Sequence, residues 1–69
     1  MGEEGAPYER LLAELRGMLD RSERDYSMGH KLGASLHLSK VAYLADIVGR
    51  SLIVGDDDRL AYLAQQVGR

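Results

Sequence analysis

His30 and His37 are the only imidazoles in this 69-residue chain. Seven residues apart on a helix, they share one face but stand about 10 Å apart along its axis. That is too far for one metal ion, which two helical histidines grip at i and i+4. A dimer could bring His30 of one protomer toward His37 of its partner as metal ligands or an acid–base between subunits, but ordinary surface or interface histidines are the expectation. The chain has no cysteine, which excludes disulfides, thiolate metal sites and thiol nucleophiles. Ser22, Ser27, Ser35, Ser39 and Ser51 fall in no nucleophile-elbow pattern, and no phosphate-cradling glycine loop is present. The triplet Asp56-Asp57-Asp58 is contiguous, whereas an EF-hand loop needs alternating acids, a glycine at its sixth position and a glutamate at its twelfth. The expectation is therefore no enzyme, no metal and no cofactor, with the aspartates capping a helix.

Nucleic-acid chemistry is the next class to weigh. Nine basic and eleven acidic residues give a net charge of −2 and a pI near 5.5, far from the basic balance of a free-standing nucleic-acid binder. Lys31, Lys40 and Arg50 make a modestly basic middle and are the candidate phosphate contacts of this alternative reading, a small dimeric DNA-associated protein. Ala45 and Gly49 are spaced like the alanine and turn glycine of a helix-turn-helix, but an apolar and then acidic stretch follows where a recognition helix needs polar and basic side chains. Gly49-Arg50-Ser51-Leu52-Ile53, followed by Asp57 and Leu60-Ala61, resembles the loop and last helix of archaeal histones. That resemblance spans about a third of the chain and implies a phosphate-contacting role for Arg50. Ser51 stands where the family is basic, and Leu52 where it carries a hydroxyl residue.

The elements that would position these groups are helices. Residues 1–6 read as a flexible, acidic tail and residues 7–69 as one helical domain. Pro7 suits a helix start, where its missing N–H costs nothing. Tyr8, Leu11, Leu12, Leu15, Met18 and Leu19 then form one apolar face. Arg10–Glu14, Arg16–Asp20, Asp20–Arg24 and Arg21–Asp25 are four apart on the other face, as ion pairs would be. Ser22-Glu23-Arg24-Asp25 fits a capping box that would open a new helix near 23. The apolar stripe nevertheless continues to Tyr26, and Gly29 and Gly33 favour a break within 27–33.

A second helix is expected near 34–53, its seam running Ala34, Leu38, Val41, Ala45, Val48, Leu52. A third, near 57–67, carries Leu60, Leu63, Ala64 and Val67. The expected architecture is all-α: a helical hairpin plus a short third helix, assembling into a dimeric helix bundle. Its core would comprise Leu11, Leu12, Leu15, Leu19, Leu38, Val41, Leu44, Ala45, Val48, Leu52, Leu60 and Leu63.

Seating those residues together leaves Leu36, Tyr43 and Ile47 outward, because opposite sides of one helix cannot face one neighbour. They are the candidate partner-binding residues. The functional expectation is a non-enzymatic interaction module, a small regulator, adaptor or chaperone presenting an apolar helical face to a protein partner and to a second copy of itself. Small helical-hairpin chaperones and antikinases share this plan by architectural analogy. No apolar run approaches the ~20 residues of a membrane span, and the acidic start is not a signal peptide, so the cytoplasm is the expected compartment. One internal repeat remains: Ala42-Tyr43-Leu44-Ala45-Asp46-Ile47-Val48-Gly49-Arg50 recurs as residues 61–69 with seven of nine positions identical. It predicts like surroundings for Tyr43 and Tyr62, each with a buried ring and a wet hydroxyl.

Overall fold

The computed structural model describes residues 6–67, which form three helices and no strand: α1 (Ala6–Ser27), α2 (Lys31–Val54) and α3 (Asp57–Val67). The expected tail lies outside the described residues except for Ala6, which opens α1. Turns of three and two residues make the helices run up, down and up. α1 packs against both other helices, while α2 and α3 meet least.

Both turns begin with the same stop. Gly29 (φ +83°) and Gly55 (φ +72°) adopt the left-handed conformation that favours glycine. Around the first, the Gly29 N–H donates to the Tyr26 carbonyl at 3.0 Å and the His30 N–H to the Asp25 carbonyl at 2.7 Å. Around the second, the Gly55 N–H reaches the Leu52 carbonyl at 3.3 Å and the Asp56 N–H the Ser51 carbonyl at 2.9 Å. Each is a Schellman closure, which satisfies the last helical carbonyls. The starts that follow differ. His30 precedes α2 without a side-chain cap, whereas Asp56 caps α3 by accepting the Arg59 N–H at 3.0 Å. Asp57 and Asp58 occupy the first turn of α3, at the positive end of its dipole.

The break between α1 and α2 falls where the glycines place it but is shorter than expected. The capping-box reading of Ser22 fails: Ser22 is a buried residue inside α1. α2 starts at Lys31, not 34, and takes Gly33 into its first turn. A Cβ on Gly33 would stand 2.6 Å from a carboxylate oxygen of Asp25, so this glycine lets α1 come close to α2 rather than ending a helix.

The core gathers Leu11, Met18, Leu44, Val48, Leu60 and Ala64, with Tyr8, Leu15, Val41, Leu63 and Val67 packed against it. Four expected core residues are instead at the surface: Leu19, Leu38, Ala45 and Leu52. On α2 the reason is register. Its buried line runs through Ala34, Leu44, Val48 and Ser51, with His37 and Val41 half-buried beside it. At 100° per residue this line is rotated by about 70° from Leu38, Ala45 and Leu52. Polar Ser51 and His37 take inward positions and leucines are left outside. The four expected ion pairs on α1 do not form among the described residues. Arg21 reaches Glu14 instead, at 3.9 Å, and Asp25 turns inward to His37.

Candidate protein-binding surface

α2 and α3 run antiparallel, and residues of both copies of the repeat, Tyr43, Leu44 and Ile47 from the first and Tyr62 and Leu63 from the second, line one groove at their junction. The first copy buries Leu44 and Val48, the second half-buries Leu63 and Val67, and both leave the tyrosine outward, so Tyr43 and Tyr62 line this groove, of about 520 Å³, with Ile47 and Leu63. Both rings are open to solvent, at 72% and 60% exposure. They do share surroundings, but the expected buried rings are not found. α3 has only 11 residues and meets α2 least of the helix pairs, which leaves both rings uncovered. Gly68 and Arg69, the end of the second copy, lie outside the described residues.

Arg59 and Asp58 stand at one end of this groove. A second hollow of about 430 Å³ adjoins it, lined by Ile53 and Val54 and sharing Ile47, Asp56 and Arg59 with the first. Ile53 and Val54 are 87% and 73% exposed. The result is a continuous apolar strip with both charge signs at its edge: Arg59 pairs with Asp56 at 3.6 Å, and Arg50 with Asp46 at 3.1 Å.

Of the candidate anchors, Tyr43 and Ile47 come together in this groove, Ile47 half-buried as its shared wall. Leu36 is exposed on the same flank of α2, about 10 Å along the axis from Tyr43, and is not part of the groove walls. Tyr62 and Leu63 belong to α3 and cannot be found from the pattern of α2 alone, whereas Ile53 stands at the end of α2 itself, outside its apolar seam. The repeat was the signal that points to Tyr62.

The basic candidates are not brought together. Lys31, Lys40 and Arg50 are all exposed, but successive members lie about 14–15 Å apart along α2 and at least about 80° apart around it. Gly49 and Arg50 are within α2, so there is no turn at the helix-turn-helix glycine and no loop at the histone-like segment. The chain turns at residues 55–56 instead. His30 is exposed, while His37 is half-buried with Nε2 3.3 Å from Asp25 Oδ2. Among the described residues, no three acidic or histidine side chains are grouped to hold a metal ion, and no helix is long and apolar enough to cross a membrane. No protein-family model, curated protein or solved structure matches the chain.

Proposed function

We propose that this protein is a non-enzymatic interaction module of the cytoplasm that binds a helical segment of a protein partner along the α2–α3 groove and acts as a homodimer. Tyr43, Ile47 and Tyr62 anchor the bound helix, and Leu36 extends the contact by two turns of α2. The observation that carries this reading is the convergence of the two repeat tyrosines, both open to solvent, on one apolar groove. Amphipathic helices lie in such grooves through anchors at i, i+3 or i+4 and i+7, and exposed aromatics that become buried dominate interface energetics.

The test compares wild-type protein with Tyr43→Ala and Ile47→Asp in pull-downs, after circular dichroism has established that each variant remains helical. Wild type is expected to retain a partner that both variants lose, with Tyr43→Ala weakening binding at least about tenfold. Binding retained by both folded variants overturns the assignment of the groove. Duplex DNA is the control ligand. A shift at low salt that reverses by ~200 mM, the signature of phosphate contacts, would overturn the protein-partner reading in favour of the DNA-associated one.

A further inference from the structure

We infer that the segment bound in the α2–α3 groove is an amphipathic helix of about 13 residues, acidic at its N-terminus and basic at its C-terminus, lying parallel to α2. This rests on the groove reading above and adds the chemistry and direction of what binds there. It follows from the charges that the groove's own ion pairs leave over. Arg59 is held by Asp56 at 3.6 Å and Arg50 by Asp46 at 3.1 Å, so neither arginine at the turn end is a free cation. Asp58 lines the groove beside Arg59. It is exposed and has no ion-pair partner among the described residues.

Lys40 is the free charge at the other end. It too is exposed and without an ion-pair partner among the described residues. At 100° per residue it stands within about 20° of Ile47 around α2 and about 10 Å from it along the axis, on the flank that carries the groove. α3 has 11 residues. Folded back from a two-residue turn, it reaches along α2 to about the level of Leu44. Lys40 therefore stands at the open mouth, one turn past the end of α3.

The two free charges are opposite in sign and about 20 Å apart along the groove, the length of about 13 helical residues. Tyr43, Ile47, Tyr62 and Leu63 line the space between them. A segment that satisfies both ends sets a carboxylate against Lys40 and a cation against Asp58. A helix that is acidic or basic at both ends meets repulsion at one of them, which is how a groove rejects wrong partners. Direction follows from the bound helix itself. Acidic residues stabilise the first turn of a helix and basic residues the last. A segment whose charges both favour its own helix and match the groove thus runs from Lys40 to Asp58.

The probe is a capped synthetic helix of about 14 residues with leucines at i, i+4 and i+7, two glutamates at its N-terminus and two lysines at its C-terminus. Its control carries glutamine in place of all four charges. Fluorescence anisotropy at low salt is expected to show the charged peptide binding about threefold to tenfold tighter than the control, the range for two exposed ion pairs. The difference is expected to vanish in about 0.5 M salt and in the double variant Lys40→Gln, Asp58→Asn, while Ile47→Asp abolishes binding of both peptides. Circular dichroism first establishes that each variant remains helical. Disulfide crosslinking reads the direction, since the chain has no cysteine of its own. A cysteine at the N-terminus of the charged peptide is expected to link to Ser39→Cys, beside Lys40, and not to Val54→Cys, about 22 Å further along α2. Binding that Ile47→Asp leaves unchanged overturns the groove reading itself. Equal binding of the two peptides, abolished by Ile47→Asp, leaves the groove standing and overturns its charge pattern. A link to Val54→Cys instead of Ser39→Cys overturns the direction. Failure of both peptides to bind overturns this inference and leaves the groove to its own pull-down.

Discussion

Ser22 and Ser51 are both buried, and both hydroxyls donate at 2.9 Å to a backbone carbonyl. Ser22 reaches across the helix interface to Ala34, whereas Ser51 reaches back within its own helix to Ile47. The first bond ties two elements together. The second only repeats what the helix already provides, since the Ile47 carbonyl is an intrahelical acceptor. Ser22→Ala is therefore expected to lower stability by about 1 kcal/mol, the usual net worth of a hydrogen bond, and Ser51→Ala to change it by less than about half that. Urea titrations of the two variants check this, and equal losses would show that the tie between helices contributes nothing of its own. Neither role was legible in the sequence. A serine in an apolar line looks like a defect of the pattern until its acceptor is known, so apolar spacing puts the seam of α2 on Leu38, Ala45 and Leu52 rather than through Ser51.

At the scale of the helices, the three apolar periodicities and the glycine stops read directly, so α1, α3 and the end of α2 lie within a residue or two of where spacing puts them. The start of α2 did not, because Gly33 carries two opposite meanings in a sequence. As a helix breaker it would delay α2 to residue 34. In the structure it is the gap that receives Asp25, whose carboxylate also meets His37 at 3.3 Å. Gly17 provides the comparison, since a Cβ there would make only an ordinary contact, 3.9 Å from the Arg21 guanidinium. Gly17→Ala is expected to stabilise the protein by about 1 kcal/mol through helix propensity, raising Tm by roughly 4–8 °C for a domain of this size. Gly33→Ala has the same gain available but must displace Asp25 and break its contact with His37, so its Tm is expected to stay level or fall. Equal rises in thermal melts would show that the close approach at Gly33 is without consequence. The candidate groove was legible only in part. Tyr43 and Ile47 follow from surplus apolar surface on α2, but Tyr62 and Leu63 join them only because the repeat folds back on itself, which no single-helix pattern displays.

The whole molecule measures 40 × 21 × 18 Å, and its buried apolar cluster lies where all three helices overlap, around Leu11, Met18, Leu44, Val48, Leu60 and Ala64. Beyond the reach of α3, the α1–α2 hairpin is joined by Ser22, Asp25, Gly33 and His37 rather than by large apolar side chains. Local stability follows apolar burial. Amide hydrogen exchange is therefore expected to be slowest at residues 11–18 and 44–51 and markedly faster at residues 22–27 and 31–37. Uniform protection along α2 would contradict this gradient. Leu11 is wholly buried, and truncating such a leucine to alanine costs about 2–5 kcal/mol, while a single core of this size rarely supplies more than about 3–5 kcal/mol. Leu11→Ala is accordingly expected to lose most of its helical circular dichroism at 37 °C, and a cooperative melt well above that temperature would show that the core is better supported than its size implies. The turn at residues 55–56 has a consequence of another kind. Asp56 closes α2 with its N–H and opens α3 with its carboxylate, so the two walls of the tyrosine groove are joined without a spare residue between them. A binding partner meets a cleft whose width is already set, and little ordering entropy is lost when it docks. Its association rate would then be governed by collision and orientation, about 10⁵–10⁷ M⁻¹s⁻¹ for protein pairs, and inserting one glycine between Gly55 and Asp56 would slow it.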